Sequence, residues 1–294
     1  MAEGLKILKI ELARVYGFCP GVRRAVEMIE EHLAREERIA TLGAIVHNAW
    51  VVERLARMGA RVVGSLEEVT EPAVAITAHG AGREVYAEIE RRGLKLVDTT
   101  CPIVKRAQEA AHDLAQSGYT VLIYGESSHP EVRGILSWTE GKGHATLSPG
   151  DLPPLRNRKL GIVSQTTKGR ESFWEFVQQV IHRLHPRIQD LRVVDTTCPE
   201  TTRRYEAALE LAKRVDAIFV VGSRNSANTR KLAETCRATG IPTHFIESAS
   251  EIDPSWIVGV SRVGVTAGAS TPDELVQEVV SHLRELGGDC DEGE

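Results

Sequence analysis

A chain of 294 residues with 42% hydrophobic and 26% charged side chains has the make-up of a soluble globular protein of one to three domains. A formal net charge of −5 excludes the basic footprint of non-specific nucleic-acid binding, and no apolar run nears the roughly 20 residues of a membrane span. The N-terminus offers no signal-peptide core, so the expected compartment is the cytoplasm, where five scattered cysteines are packing residues, metal ligands or nucleophiles.

In chain order the pattern is a threefold repeat. A strand over residues 6–13 leads to Tyr16-Gly17-Phe18-Cys19-Pro20. An amphipathic helix follows, with Val22, Ala25, Val26, Ile29 and Leu33 on one face. Then come a strand over 39–42, a loop with Gly43 and His47, a second helix, further strands and the polar turn Thr77-Ala78-His79-Gly80. A strand over 95–98 enters the second copy at Asp98-Thr99-Thr100-Cys101-Pro102, whose helix face is Val104, Ala107, Ala111 and Leu114. That copy runs through a strand over 120–124, Gly125, His129 and the turn Ser164-Gln165-Thr166-Thr167. The third begins at Asp195-Thr196-Thr197-Cys198-Pro199, with Tyr205, Ala208, Leu209 and Ala212 as its helix face. It continues through a strand over 217–221, Gly222, Ser226 and the turn Ala267-Gly268-Ala269-Ser270. Twenty-eight residues separate Cys19 from His47, Cys101 from His129 and Cys198 from Ser226.

Strands alternating with helices predict an α/β protein: three similar α/β units with mainly parallel sheets around a pseudo-threefold axis and a central cavity. The expected units are 14–98, 99–195 and 196–286. The pattern gives the third no closing strand, so the N-terminal strand 6–13 is expected to complete its sheet. Residues 287–294 read as a disordered acidic tail.

Each Cys-Pro pair puts proline at the first helical position and cysteine beside the helix cap, where the dipole lowers a thiol's pKa. A lone cysteine is ordinarily a small core residue, and Cys236 and Cys290 are read that way. Cys19, Cys101 and Cys198 share a repeated context that packing does not require. Three dispersed thiolates suit zinc or an iron–sulfur cluster; without close-spaced C-x2-C pairs the cluster is the more productive reading, with one iron open to substrate. His47, His79, His129, Thr166, Ser226, Asn228 and Ser270 fall in turns or helix starts and would offer hydrogen bonds to phosphate oxygens. His32, His112, His182, His185, His244 and His282 read as solvated. Glu131 is either a proton donor with a raised pKa or a first-turn glutamate facing the helix dipole.

Together these residues resemble the 4-hydroxy-3-methylbut-2-enyl diphosphate reductase family of the methylerythritol-phosphate route to isoprenoids. The resemblance rests on Gly17-Phe18-Cys19-Pro20-Gly21-Val22, Val46-His47-Asn48, Ala78-His79-Gly80, Thr100-Cys101-Pro102, His129-Pro130-Glu131-Val132, Gln165-Thr166-Thr167, Cys198, Ser226 with Asn228, and Thr266-Ala267-Gly268-Ala269-Ser270. It implies a [4Fe–4S] cluster on Cys19, Cys101 and Cys198, with the substrate hydroxyl on the unique iron. It also implies diphosphate binding by His47, His79, His129, Ser226, Asn228 and Ser270, and a proton route through Glu131 and Thr166. The family pattern Ser-Ser-Asn is here Ser226-Ala227-Asn228, leaving the Ala227 backbone N–H in place of a hydroxyl. With no GxGxxG fingerprint after a strand, ferredoxin or flavodoxin is the expected electron donor. A hydro-lyase and a structural-zinc or redox-sensing protein are the competing readings.

Overall fold

The computed structural model of the chain describes residues 8–35, 38–152, 155 and 158–291. A leading strand, β1 (Leu8–Leu12), precedes three copies of one element order. The first is α1 (Pro20–Arg35), β2 (Ile39–Leu42), α2 (Ala49–Met58), β3 (Ala60–Val63), β4 (Ala73–Ile76), α3 (Arg83–Arg91) and β5 (Lys95–Asp98). The second is α4 (Pro102–Gln116), β6 (Thr120–Tyr124), α5 (Pro130–Trp138), β7 (Gly143–Thr146), β8 (Lys159–Ser164), α6 (Arg170–Leu184) and β9 (Asp190–Val193). The third is α7 (Pro199–Ala212), β10 (Ala217–Val221), α8 (Ala227–Arg237), β11 (Thr243–Ile246), β12 (Arg262–Ala267), α9 (Asp273–Glu285) and β13 (Gly288–Asp291).

Each copy builds its own sheet, and every strand pair among the described residues is parallel, as the α/β pattern predicted. The strand orders are β3-β2-β4-β5, β7-β6-β8-β9 and β11-β10-β12-β1-β13. The chain groups into two compact units. One comprises the described parts of 1–22, 46–53 and 200–294 and holds the five-stranded sheet; the other, 23–45 and 54–199, holds the two four-stranded sheets.

Helices on both faces explain why central strands read as continuous apolar runs. In β10, Phe219 and Val221 pack with Val276, Val279 and Val280 of α9, whereas Ile218 and Val220 face Ala208 and Leu211 of α7. The period of two thus divides one strand between two cores. Complete burial of Phe219 alone contributes about 2–3 kcal/mol.

The N-terminal strand joins the third sheet as expected, Ile10 lying opposite Val263. The closing strand thought missing is also present: β13 pairs with the other edge of β1, so residues 288–291 are ordered backbone instead of a disordered tail. The physical reason is the open edge of β1, whose backbone groups are met by an incoming strand whatever its side chains. The rest of the expected tail, 292–294, lies outside the described residues.

Two other expectations are corrected. On α7 the buried face is Thr201, Arg204, Ala207, Ala208 and Leu211, while Leu209 is exposed. An arginine inside the core rotates the stripe away from the one drawn by counting apolar letters. Among the histidines read as solvated, His32 is buried, His112 meets the Trp138 carbonyl at 3.3 Å, and His244 stacks on Trp256 at 4.2 Å.

Candidate active site

Proline is the first residue of α1, α4 and α7, so Cys19, Cys101 and Cys198 each immediately precede a helix. These three thiols are half-buried, whereas Cys236 is fully buried on α8, where burial pushes its thiol up to about 11. Cys236 is therefore the packing residue the sequence suggested. Nothing is described of the Cys290 side chain.

The backbone N–H of each helix-opening cysteine donates to the carbonyl two residues past the end of a strand. Cys19 reaches Ala269 after β12 at 3.1 Å, Cys101 reaches Ala78 after β4 at 3.1 Å, and Cys198 reaches Thr166 after β8 at 2.8 Å. The Asp-Thr-Thr repeat supports two of these junctions. Thr99 and Thr196 hydroxyls donate to the Ile76 and Ser164 carbonyls, at 2.5 and 2.6 Å. Asp98 and Asp195 accept the Thr100 and Thr197 N–H groups, each at 3.1 Å. These side chains fold the segment back as a turn and deliver the cysteine to the strand end.

The same bonds give the structural register of the repeat. Thr166 corresponds to Ala78 and Ala269, so Thr167 and not Thr166 is the counterpart of His79 and Ser270. The 28-residue spacing also conceals a slip. His129 caps α5, its Nδ1 accepting the Glu131 N–H at 3.2 Å, and Ser226 caps α8 by accepting the Thr229 N–H at 3.3 Å. Before α2 that task falls to Asn48, whose Oδ1 accepts the Val51 N–H at 3.2 Å, and His47 lies one residue earlier. Acceptance at Nδ1 puts the proton of a neutral His129 ring on Nε2.

In the unit with two sheets, the His79 and His129 rings meet edge-on, centroids 5.6 Å apart at 80°. The Ala81 carbonyl accepts from Gln108 Nε2 and Trp138 Nε1, both at 3.2 Å, tying the turn that carries His79 to α4 and α5. In the other unit Ser270 Oγ donates to the His47 carbonyl at 3.4 Å, and Tyr205 donates its hydroxyl to Asn228 Oδ1 at 3.2 Å. Partial burial, and then the Arg230 charge, hold the His47 imidazole below the ordinary histidine range. Ala227 is the first residue of α8 and is exposed. Arg224, just before this cap, is taken up by Glu247 and Glu251.

Glu131 is 1% exposed, on the first turn of α5. Thr166 donates its N–H to Oε1 at 2.6 Å and its hydroxyl to Oε2 at 3.1 Å. Burial pushes the carboxyl up to about 7, against the opposing pull of these two hydrogen bonds and the Lys168 charge. Glu131 is therefore a buried carboxyl and not a solvated first-turn side chain. A carboxyl poised near neutrality can both hold and release a proton at physiological pH.

Sequence reasoning missed Tyr205, taken for an apolar position, and Arg204, which lies on the buried side of α7. The only available signal was an arginine at a core-facing helical position, which composition patterns discard. It also missed Asn48, although an asparagine just before a helix pattern is a recognisable cap.

The LytB protein family matches residues 10–284. The chain belongs to the LytB family. A protein of Dehalococcoides mccartyi (strain CBDB1) named 4-hydroxy-3-methylbut-2-enyl diphosphate reductase is 46% identical over 282 residues, 95% of this chain and 99% of that one. A Geobacter metallireducens protein of the same name is 41% identical over 280 residues, covering 95% and 98%. A solved structure of (E)-4-hydroxy-3-methyl-but-2-enyl diphosphate reductase, the terminal enzyme of the non-mevalonate pathway, superposes with a TM-score of 0.76 at 37% identity, covering 95% of this chain and all of that one. The corresponding reductase structure from Plasmodium falciparum gives 0.85 at 26% identity, covering 98% and 93%. The LytB match spans all three repeats, so it includes every cysteine and polar residue described above apart from Cys290. Among the described residues no helix is long and apolar enough to cross a membrane.

Proposed function

We propose that this LytB-family chain is an iron–sulfur oxidoreductase that reductively removes the hydroxyl of (E)-4-hydroxy-3-methylbut-2-enyl diphosphate, yielding isopentenyl and dimethylallyl diphosphates. Substrate, two electrons and two protons give one C5 diphosphate and water. The observation that carries the reading is the chain of contacts from Glu131 to Thr166 and from the Thr166 carbonyl to the Cys198 N–H, which puts a protonatable carboxyl one residue's backbone away from a proposed metal ligand.

The donor set suits the cofactor. Cys19, Cys101 and Cys198 are half-buried thiols at helix starts, each held by its own amide to a strand end, while the core cysteine Cys236 lacks all these features. They would hold a [4Fe–4S] cluster, one per chain, and thiols kept for a metal suit a reducing cytoplasm. When bound, the cluster supplies electrons one at a time and a Lewis-acidic iron without a protein thiolate.

The chain's own residues do the rest. His47, His79, His129, Ser226, Asn228 and Ser270, with the Ala227 N–H, bind the diphosphate. The Nε2 proton of neutral His129 donates to a phosphate oxygen. Tyr205 donates to Asn228 Oδ1, so the Asn228 NH2 group is the part that would donate to the diphosphate. Glu131 supplies a proton to the departing hydroxyl, with the Thr166 hydroxyl orienting the carboxyl. Ferredoxin or flavodoxin delivers the electrons.

Anaerobic reconstitution followed by iron and sulfide counting, with turnover assayed with and without reductant, tests the reading. Four irons and reductant-dependent loss of substrate are expected. Zinc in place of iron, or dehydration without reductant, overturns it. Ala227→Ser adds one hydroxyl beside the diphosphate site; a hydrogen bond to a charged group should lower KM about tenfold with kcat unchanged. An unaltered KM would remove position 227 from the diphosphate contacts.

A further inference from the structure

Each helix opened by one of the three cysteines carries an arginine five or six residues further on: Arg24 after Cys19, Arg106 after Cys101 and Arg204 after Cys198. Arg24 Nη1 donates to the Thr100 carbonyl at 3.3 Å. Arg106 Nη2 donates to the Asp195 carbonyl at 3.4 Å. Arg204 Nη2 donates to the Gly17 carbonyl at 2.9 Å and Nη1 to the Ala267 carbonyl at 2.7 Å. Thr100 directly precedes Cys101, Asp195 stands three residues before Cys198, and Gly17 two before Cys19. None of these bonds goes to the segment entering the arginine's own cysteine. Each holds the segment entering the next cysteine in chain order, and the third returns to the first.

The three contacts differ in strength. Arg24 and Arg106 are exposed and their bonds are long. Arg204 is 1% exposed, and both terminal nitrogens of its buried guanidinium are engaged by backbone carbonyls. Its planar fork spans two carbonyls from different segments, the approach to Cys19 and the end of β12. The approach is constrained further at Gly17, which has φ +70° and the Asp273 carboxylate packed where a Cβ would stand. Cys19 N–H is tied to Ala269, whose next neighbour is Ser270. Arg204 and the Cys19 amide therefore clamp both ends of the Gly17–Cys19 segment to the exit of one strand.

We infer that Arg24, Arg106 and Arg204 are positioning residues for the cysteine segments, Arg24 serving Cys101, Arg106 serving Cys198 and Arg204, closing the cycle, setting the placement of Cys19. As a statement about ligand placement this rests on the cysteine-held cluster proposed above. Its test is made on the full chain without cluster, so the two stand or fall separately.

Arg24→Gln, Arg106→Gln and Arg204→Gln chains are treated anaerobically with iodoacetamide, and alkylation of each cysteine is followed by peptide mass spectrometry. In Arg204→Gln, Cys19 should react roughly tenfold faster than in the unaltered chain, because loss of two buried hydrogen bonds favours local opening, while Cys198 on the same helix as the substitution keeps its rate. Arg24→Gln and Arg106→Gln should raise only Cys101 and only Cys198, by roughly two- to threefold, as befits long, exposed bonds. Arg204→Lys, which can reach one carbonyl at a time, should place Cys19 between the two extremes. Should Arg204→Gln fail to give a native circular dichroism spectrum, the lysine variant decides by the same readout. An unchanged Cys19 rate, or acceleration of Cys198 in its place, overturns the assignment. Absence of iron from reconstituted unaltered chain would instead sink the cluster and leave this result intact.

Discussion

Glu131→Gln should turn over at pH 7 at least roughly a hundredfold more slowly than the unaltered chain, the lower bound for losing a positioned general acid. Iron content and substrate affinity should be preserved. The amide oxygen can still accept the Thr166 N–H now bound at 2.6 Å, and the amide NH2 can donate to the Thr166 hydroxyl now at 3.1 Å. What the amide cannot do is release a proton. In the unaltered chain kcat should be level on the acid side and fall about tenfold per pH unit above about 7, as the carboxyl loses the proton it must give. The variant should lack that alkaline limb. Turnover at the original rate, or the same limb surviving the substitution, would remove Glu131 from the proton route.

The same carboxyl makes a second quantity measurable. Burial raises its pKa from the ordinary 4.5 to about 7, so the fold favours the neutral form. The corresponding stability is complete below 4.5 and is lost as pH rises through 7; the shift is worth about 3 kcal/mol. Glutamine carries no such penalty. Thermal or urea unfolding of the cluster-free chain should therefore show Glu131→Gln gaining on the unaltered chain as pH rises from 4.5 to 8, with the gap closing again in acid. A constant difference would mean that Glu131 is ionised without cost in the fold.

The fold was legible because its signals are local and repeated. The strands 39–42, 120–124 and 217–221 coincide with β2, β6 and β10, central parallel strands covered on both faces and so largely apolar, and 95–98 coincides with the edge strand β5. Proline marks the helix starts, so the sequence alone places the cysteines beside caps. Counting failed where geometry, not spacing, defines equivalence. Thr166 and His79 look alike as polar turn residues, yet only the bonds from the cysteine amides show them to be one position apart. Likewise His47 matches His129 in offset while Asn48 does the capping. The C-terminal strand was invisible because its acidic, glycine-rich letters carry no strand pattern, and the pairing is set by the edge of β1. Arg204 was hidden for a related reason: a core arginine is legible only once the two carbonyls that accept from it are known.

Cys198→Ser and Cys236→Ser should fail in opposite ways, and that opposition separates a ligand from a packing residue. At position 198 the side chain is half-buried at the start of α7, where serine is the better helix cap, so unfolding of the cluster-free chain should stay within about 0.5 kcal/mol of the original. The Cys198 N–H bond to Thr166 belongs to the backbone and survives. With only two thiolates remaining, most of the iron and the turnover should nonetheless be lost. At position 236 the thiol lies fully buried among Leu232, Ala233, Ile218 and Val220, and burial already keeps it protonated, with a pKa of about 11. A serine hydroxyl there enters an apolar cluster and should cost about 1–3 kcal/mol, with iron per chain unchanged. Iron retained in Cys198→Ser, or lost in a folded Cys236→Ser chain, would reassign the ligands.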